Sequence, residues 1–134
     1  RYTKKADIAI FAAAVADYRP ASVPDQKIKK SGDTMTLELV KNPDILGSAR
    51  DVFGFTGTLI GFAAETENVE SNARAKLVKK KCEFVVANDV SRQDIGFDSN
   101  ENEIVLVYPE HTEPLPKADK LQLGLEIIKK ALIH

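Results

Sequence analysis

The sequence predicts an α/β fold: three layers, with a mostly parallel sheet between helices on both faces. Three observations carry that expectation. Ala6 to Val15 (ADIAIFAAAV) and Thr58 to Ala64 (TLIGFAA) are near-continuous apolar runs, the pattern of strands buried on both sides. Val69, Ala73 and Leu77 recur at intervals of four, as on the core face of a helix. Strands that alternate with helices pack most simply as a parallel sheet covered on both sides.

The elements follow in order. After the first strand, Asp17 to Asp33 carries Pro20, Pro24, Gly32 and several charges without a period, and reads as a loop. A loop of that length in a compact domain is usually functional. Thr34 to Val40 (TMTLELV) alternates apolar and polar residues and predicts a half-exposed strand. Asn42-Pro43-Asp44 has the chemistry of a helix start, with Asn as N-cap and Pro in the first turn. That helix should reach about Val52, with Gly54 placed to stop it. Thr66 or Asn68 should cap the next helix, which runs to about Lys80. Glu83 to Ala87 is a short buried strand ending in an Asn88-Asp89 turn. Residues 91–102 read as a polar loop, Glu103 to Tyr108 as a strand and Pro109 to Pro116 as a connector. Leu121, Leu125, Ile128 and Leu132 mark a closing helix, with Glu126 and Lys130 as an i,i+4 pair. The whole of residues 1–134 is expected to form one domain.

Composition narrows the function. The chain has 134 residues, 43% hydrophobic and 29% charged, as expected for one core. Its 19 basic and 20 acidic residues leave a net charge of −1, which disfavours a non-specific nucleic-acid binder. Phosphate chemistry must therefore come from local lysine clusters. A single cysteine, Cys82, with only His111 and His134, gives neither a disulfide framework nor a zinc spacing. No apolar run approaches the ~20 residues of a membrane span and no signal peptide is visible, so a cytoplasmic protein without membrane or nucleic-acid partners is expected.

In such sheets ligands sit beyond the carboxyl ends of strands, and the predicted exits here are Asp17, Glu65 and Asn88. Asp17 could bind a ribose, a base or Mg²⁺, or simply stabilise its own turn. Lys27, Lys29 and Lys30 could close over a triphosphate or form a solvated loop. Phe62 could stack on a base or belong to the core. Lys76 and Lys80 lie one helical turn apart on one face, a mildly repulsive arrangement that an intervening anion would relieve. Cys82 reads as a small buried hydrophobe. Neither G-x-G-x-x-G nor G-x-x-x-x-G-K-[ST] is present.

In order, AAAVADYRP, KIKK, LVKNPDIL, GFAAET, ARAKLVKKKCEFVVANDV and GFDSNEN resemble phosphopantothenoylcysteine synthetases, over roughly residues 6–132. In bacteria these are usually the carboxy-terminal half of the bifunctional coenzyme A biosynthesis flavoprotein, of the DNA/pantothenate metabolism family. The resemblance implies a Rossmann-like domain with a dimerisation strand region, for which Thr34 to Val40 is the candidate. It implies a ligase that joins 4′-phosphopantothenate to L-cysteine through an acyl-cytidylate, using CTP and Mg²⁺. The K-x-K-K loop is similar to the CTP-dependent bacterial type rather than the ATP-dependent eukaryotic type.

Carried over position by position, the resemblance implies catalytic roles for Lys27, Ala13 and Ala14. It implies nucleotide contacts at Phe11, Ala12, Ala13, Asp17, Lys27, Asn42, Pro43, Asp44, Ile45, Phe62, Lys76 and Lys80. Metal ligands are not implied. The family's glycine-rich strand-loop and the Asn downstream of it have no counterpart here. The chain is therefore expected to be a carboxy-terminal portion that keeps most nucleotide determinants and need not complete the reaction. FMN would belong only to an upstream flavin-dependent decarboxylase domain, outside these residues. Two other readings stay open: a Rossmann-like NAD- or FMN-dependent oxidoreductase, and a non-catalytic dimerisation module.

Overall fold

The computed structural model describes residues 5–13, 16–22, 32, 34–91 and 101–133. In chain order the elements are β1 (Ile8–Phe11), β2 (Tyr18–Pro20), β3 (Leu39–Lys41), α1 (Ile45–Asp51), β4 (Thr58–Glu65), α2 (Val69–Lys80), β5 (Phe84–Asp89), β6 (Glu101–Asn102), β7 (Ile104–Val107), β8 (Thr112–Pro114), β9 (Ala118–Asp119) and α3 (Lys120–Ile133). Backbone proximity divides the chain into two compact units, residues 1–13 with 46–134, and residues 14–45.

The larger unit is built on a five-stranded sheet in the order β1-β4-β5-β7-β8. β1, β4 and β5 are parallel, while β5 meets β7 and β7 meets β8 antiparallel. Alternation along the strands divides the core in two. Leu59, Ala63, Val85, Ala87 and Val107 pack with Leu46 and Ala49 of α1 and Ala73 and Leu77 of α2. Ile60, Phe84, Val86, Ile104 and Leu106 pack with Leu123, Ile127 and Ala131 of α3. Both faces are thus covered, which is why β4 and β5 read as unbroken apolar runs. Phe84 is fully buried, and its ring lies 5.2 Å from that of Tyr108.

Two glycines are set by geometry. Gly54, at φ 65, ends the turn after α1 in the left-handed region that suits glycine. At Gly61 a Cβ would sit 3.0 Å from Leu46 Cδ2, so its absence lets α1 approach the sheet closely.

At the amino-terminal edge of β4 and β5, Arg50 ties α1 to the sheet. Its guanidinium donates to the carbonyls of Phe55, Gly57 and Lys81, and pairs with Glu83 at 2.7 Å. The other Glu83 oxygen accepts the Leu59 N–H. Burial pushes the neighbouring Cys82 thiol up to about 11, with the Glu83 charge adding to the effect.

The smaller unit holds β2 and β3, paired antiparallel with Tyr18 opposite Lys41 and Pro20 opposite Leu39. Here the sequence expectation needs correction. The segment read as a loop contains β2, and the strand read over Thr34 to Val40 is confined to Leu39–Lys41. Pairing partners far apart in sequence determine these strands, and local alternation does not register them. Asn42 does not act as the helix cap either. Its side chain donates to the Ala16 carbonyl at 2.8 Å and accepts from Arg19 at 3.0 Å, while α1 starts at Ile45, directly after Asp44.

Other boundaries shift for the same reason. Asn88 and Asp89 continue β5, because Ala64 and Glu65 of β4 pair with them. The Pro109 to Pro116 connector contains β8. Asn68 does stand before α2, but in left-handed conformation and without a side-chain cap bond. Leu121, Leu125, Ile128 and Leu132 all lie on α3, yet all four are exposed. Lys130 pairs with Glu113 at 2.6 Å and Glu126 with Lys129, replacing the expected i,i+4 pair.

Candidate functional site at the carboxyl edge of the parallel strands

In the larger unit, the parallel strands β4 and β5 end together at Glu65 and Asp89, while β1 ends at Phe11, opposite Gly61 and four residues short of Glu65. Phe11 is half-buried against the α1/α2 core, whereas Ala12 and Ala13 are exposed just beyond the strand. Small residues there leave room for a ligand to reach the backbone.

Phe62 packs at the margin of the α3-side core, half-buried. Its carbonyl accepts a hydrogen bond from the Lys76 ammonium. The β1–β4 ladder ends at Phe11 opposite Gly61, so Lys76 donates to the first β4 residue beyond that ladder. An ammonium is thereby held next to the end of β1. Lys80 lies one turn further along the same stripe of α2, partly exposed.

One turn earlier on that stripe stands Asn72, which sequence reasoning did not single out. Its amide donates to the Glu67 carbonyl at 3.1 Å and, at 3.4 Å, to Glu65. The signal was present, because Asn72, Lys76 and Lys80 are spaced by four. The Arg50–Glu83 pair was also missed; only the folded chain brings residues 33 apart into contact.

The smaller unit gathers a second group of expected residues. The Asp17 carbonyl accepts the Asn42 N–H at 2.7 Å, while the Asp17 side chain is exposed. Arg19 bridges to the Lys41 carbonyl and the Asn42 side chain. Pro43, Asp44 and Ile45 follow at the surface. Ala14 and Lys27 lie outside the described residues.

Among the described residues no cluster of three or more His, Cys, Asp or Glu could hold a metal ion. An open depression of about 480 Å³ at the start of α3, bordered by Lys117, Asp119, Gln122 and Glu126, includes none of the expected site residues. No helix among the described residues is long and apolar enough to cross a membrane.

Helices on both faces and polar groups at the carboxyl edge define a Rossmann-like α/β domain of the kind that takes ligands at its strand ends. The chain belongs to the DNA/pantothenate metabolism flavoprotein C-terminal domain family, which it matches over residues 1–133. It is 48% identical over 126 residues to the coenzyme A biosynthesis bifunctional protein CoaBC of Vibrio vulnificus, an alignment covering 92% of this chain and 31% of that protein. The chain thus spans about a third of the length of the curated relatives it matches. The crystal structure of a CoaBC C-terminal domain superposes with a TM-score of 0.74 at 32% identity, covering 98% of this chain and 58% of that one. A Cab2 mutant in complex with phosphopantothenate-cysteine shares the fold at TM-score 0.65 and 18% identity, covering 88% of this chain and 42% of that one.

Proposed function

We propose that this chain carries the nucleotide-handling part of a phosphopantothenate–cysteine ligase of coenzyme A biosynthesis. The observation that carries this reading is the α2 stripe of Lys76 and Lys80, with the Lys76 ammonium held beside the end of β1. Membership of a family whose relatives act in coenzyme A biosynthesis supports this reading. A carboxylate oxygen of 4′-phosphopantothenate attacks the α-phosphorus of CTP, and the bond to the β-phosphate breaks to release pyrophosphate. The amine nitrogen of L-cysteine then attacks the acyl carbon, and the C–O bond to CMP breaks as the amide forms.

Both steps gather negative charge on phosphate oxygens, where fixed ammonium groups stabilise the transition state. Lys76 and Lys80 take the triphosphate, and Lys27 closes on it. Ala12, Ala13 and Ala14 admit the reacting groups to the backbone beside Phe11. Asp17 and Asn42 to Ile45 contact the nucleoside, with Phe62 beside the base. Mg²⁺ enters on the triphosphate, since a cation that keeps several waters needs few protein carboxylates.

A homodimer is part of the same reading. Tyr18, Met35, Leu37 and Leu39 are all exposed, an apolar set that a subunit contact would cover. A cytoplasmic setting, without membrane or nucleic-acid partners, fits this chemistry.

Thermal unfolding tests the proposal. A ligand that binds only the folded state at a hundredfold excess over Kd adds about 2.7 kcal/mol of stability. CTP with Mg²⁺ should raise the Tm above that with Mg²⁺ alone, and more than ATP does. No shift in a folded chain refutes nucleotide binding. Lys76→Ala and Lys80→Ala should weaken CTP binding more than CMP binding, and equal losses would move the triphosphate elsewhere.

A further inference from the structure

The lane on α2 begins with an acidic group that the charge-stabilising role of the lysines does not use. Leu59 and Ala63 of β4 pack on the α1/α2 side of the sheet, and the two-residue alternation of the strand puts Glu65 on that same side. The Asn72 bond to Glu65 agrees with this placement. Lys76 meets Phe62 further down the strand, so α2 runs antiparallel to β4 with its first turn at the carboxyl edge. The order along the lane is therefore carboxylate, ammonium, ammonium. Asn72 and Lys80 are eight residues apart, about 12 Å of helix. That span is comparable to the reach from a ribose to a terminal phosphate.

The half-buried Glu65 carboxylate is held on one oxygen by the long 3.4 Å bond from Asn72. Among the described residues its other oxygen has no donor, and no Lys or Arg pairs with it. A carboxylate partly withdrawn from water and incompletely hydrogen-bonded favours a donor supplied by a ligand.

Resting on the proposed ligase function, we propose that Glu65, oriented by Asn72, is the acceptor subsite for a hydrogen-bond donor of the bound substrates. Two donors of that reaction share this chemistry, the vicinal hydroxyls of the nucleotide ribose and the ammonium of the amino-acid substrate. In either case Glu65 sets which ligand is accepted, and Lys76 and Lys80 answer for the phosphate charge.

Calorimetric titration of the full chain, comparing wild type with Glu65→Gln and Glu65→Ala, tests this. The probes are CTP, 2′,3′-dideoxy-CTP, and L-cysteine or 3-mercaptopropionate added to CTP-saturated protein. Loss of one hydrogen bond to a charged group weakens binding by roughly tenfold or more. A loss for CTP but not for dideoxy-CTP assigns the ribose. A loss for L-cysteine but not for 3-mercaptopropionate assigns the ammonium. Unchanged affinities in both variants overturn the subsite, as do equal losses for all four probes, which mark a purely structural role. Glu65→Gln keeps the shape of the side chain and serves if Glu65→Ala does not fold. Wild-type protein that binds neither CTP nor cysteine removes the proposed function and the subsite together; CTP and cysteine binding that are both unaffected by the Glu65 substitutions remove the subsite alone.

Discussion

The two units of the chain are stabilised by different means. In the larger one, side chains such as Leu59, Ile60, Phe84 and Leu106 are withdrawn completely from water. In the smaller one, no described residue from 16 to 45 is buried. Its order rests on the β2–β3 ladder and on the Arg19, Asn42 and Ala16 hydrogen bonds. Meanwhile Met35 is 70% and Leu37 54% exposed. Burial dominates folding free energy, whereas exposed hydrogen bonds exchange with water at small net gain. The larger unit should therefore carry most of the stability, and the smaller one should serve contacts.

Substitutions can break that contrast. The largest effect is expected from Phe84→Ala, which should cost about 3–5 kcal/mol in urea unfolding as it opens a cavity beside Tyr108. A cost under about 1 kcal/mol would mean the core collapses around the gap. Arg50→Ala comes next, at about 2 kcal/mol. It strands Glu83 and three carbonyls, but the pair is partly exposed, which reduces the penalty below that of a fully buried one.

Cys82 provides a pH test of the same core. Its folded value of about 11 lies above the ordinary thiol value of 9.0, so the folded state holds its proton to higher pH than the unfolded state. Stability should therefore fall as pH rises from about 9 to about 11. Cys82→Ala should remove that part of the slope, and an unchanged slope would assign the loss to other groups.

Smaller changes belong to the smaller unit. Arg19→Ala should cost no more than about 1 kcal/mol, since its bonds are exposed. Leu37→Asp should leave stability within about 0.5 kcal/mol. In light scattering it should shift the proposed dimer toward monomer. A large drop in stability instead would show that Leu37 belongs to a core.

Legibility in the sequence follows the same division. β4, β5 and α2 were readable because their burial leaves a local record: unbroken apolar runs for strands covered on both faces, and a four-residue interval for Ala73 and Leu77. The α3 helix was readable as a helix but not in its orientation. Leu121, Leu125, Ile128 and Leu132 form one apolar stripe and Leu123, Ile127 and Ala131 another, and only the latter packs on the sheet. When most of a circumference is apolar, periodicity marks the helix without choosing its buried face. In the site, the shared face of Lys76 and Lys80 followed from spacing alone. The Phe62 carbonyl as partner of Lys76, and Asn72 as partner of Glu65, did not.

By itself the sequence determined the α/β class, the buried strands β4 and β5, the stop at Gly54 and the family, because each is written in residue type at short range or in motif order. The apolar run expected as a doubly buried first strand is instead the edge strand β1, with no buried residue. The tertiary structure alone decided which face of α3 meets the sheet, that β2 pairs with β3, and that Arg50 locks onto Glu83. It also decided that a carboxylate and an ammonium line one side of α2 at the strand ends. Those features are contacts between residues far apart in sequence, and their free energy exists only once the chain has brought the partners together.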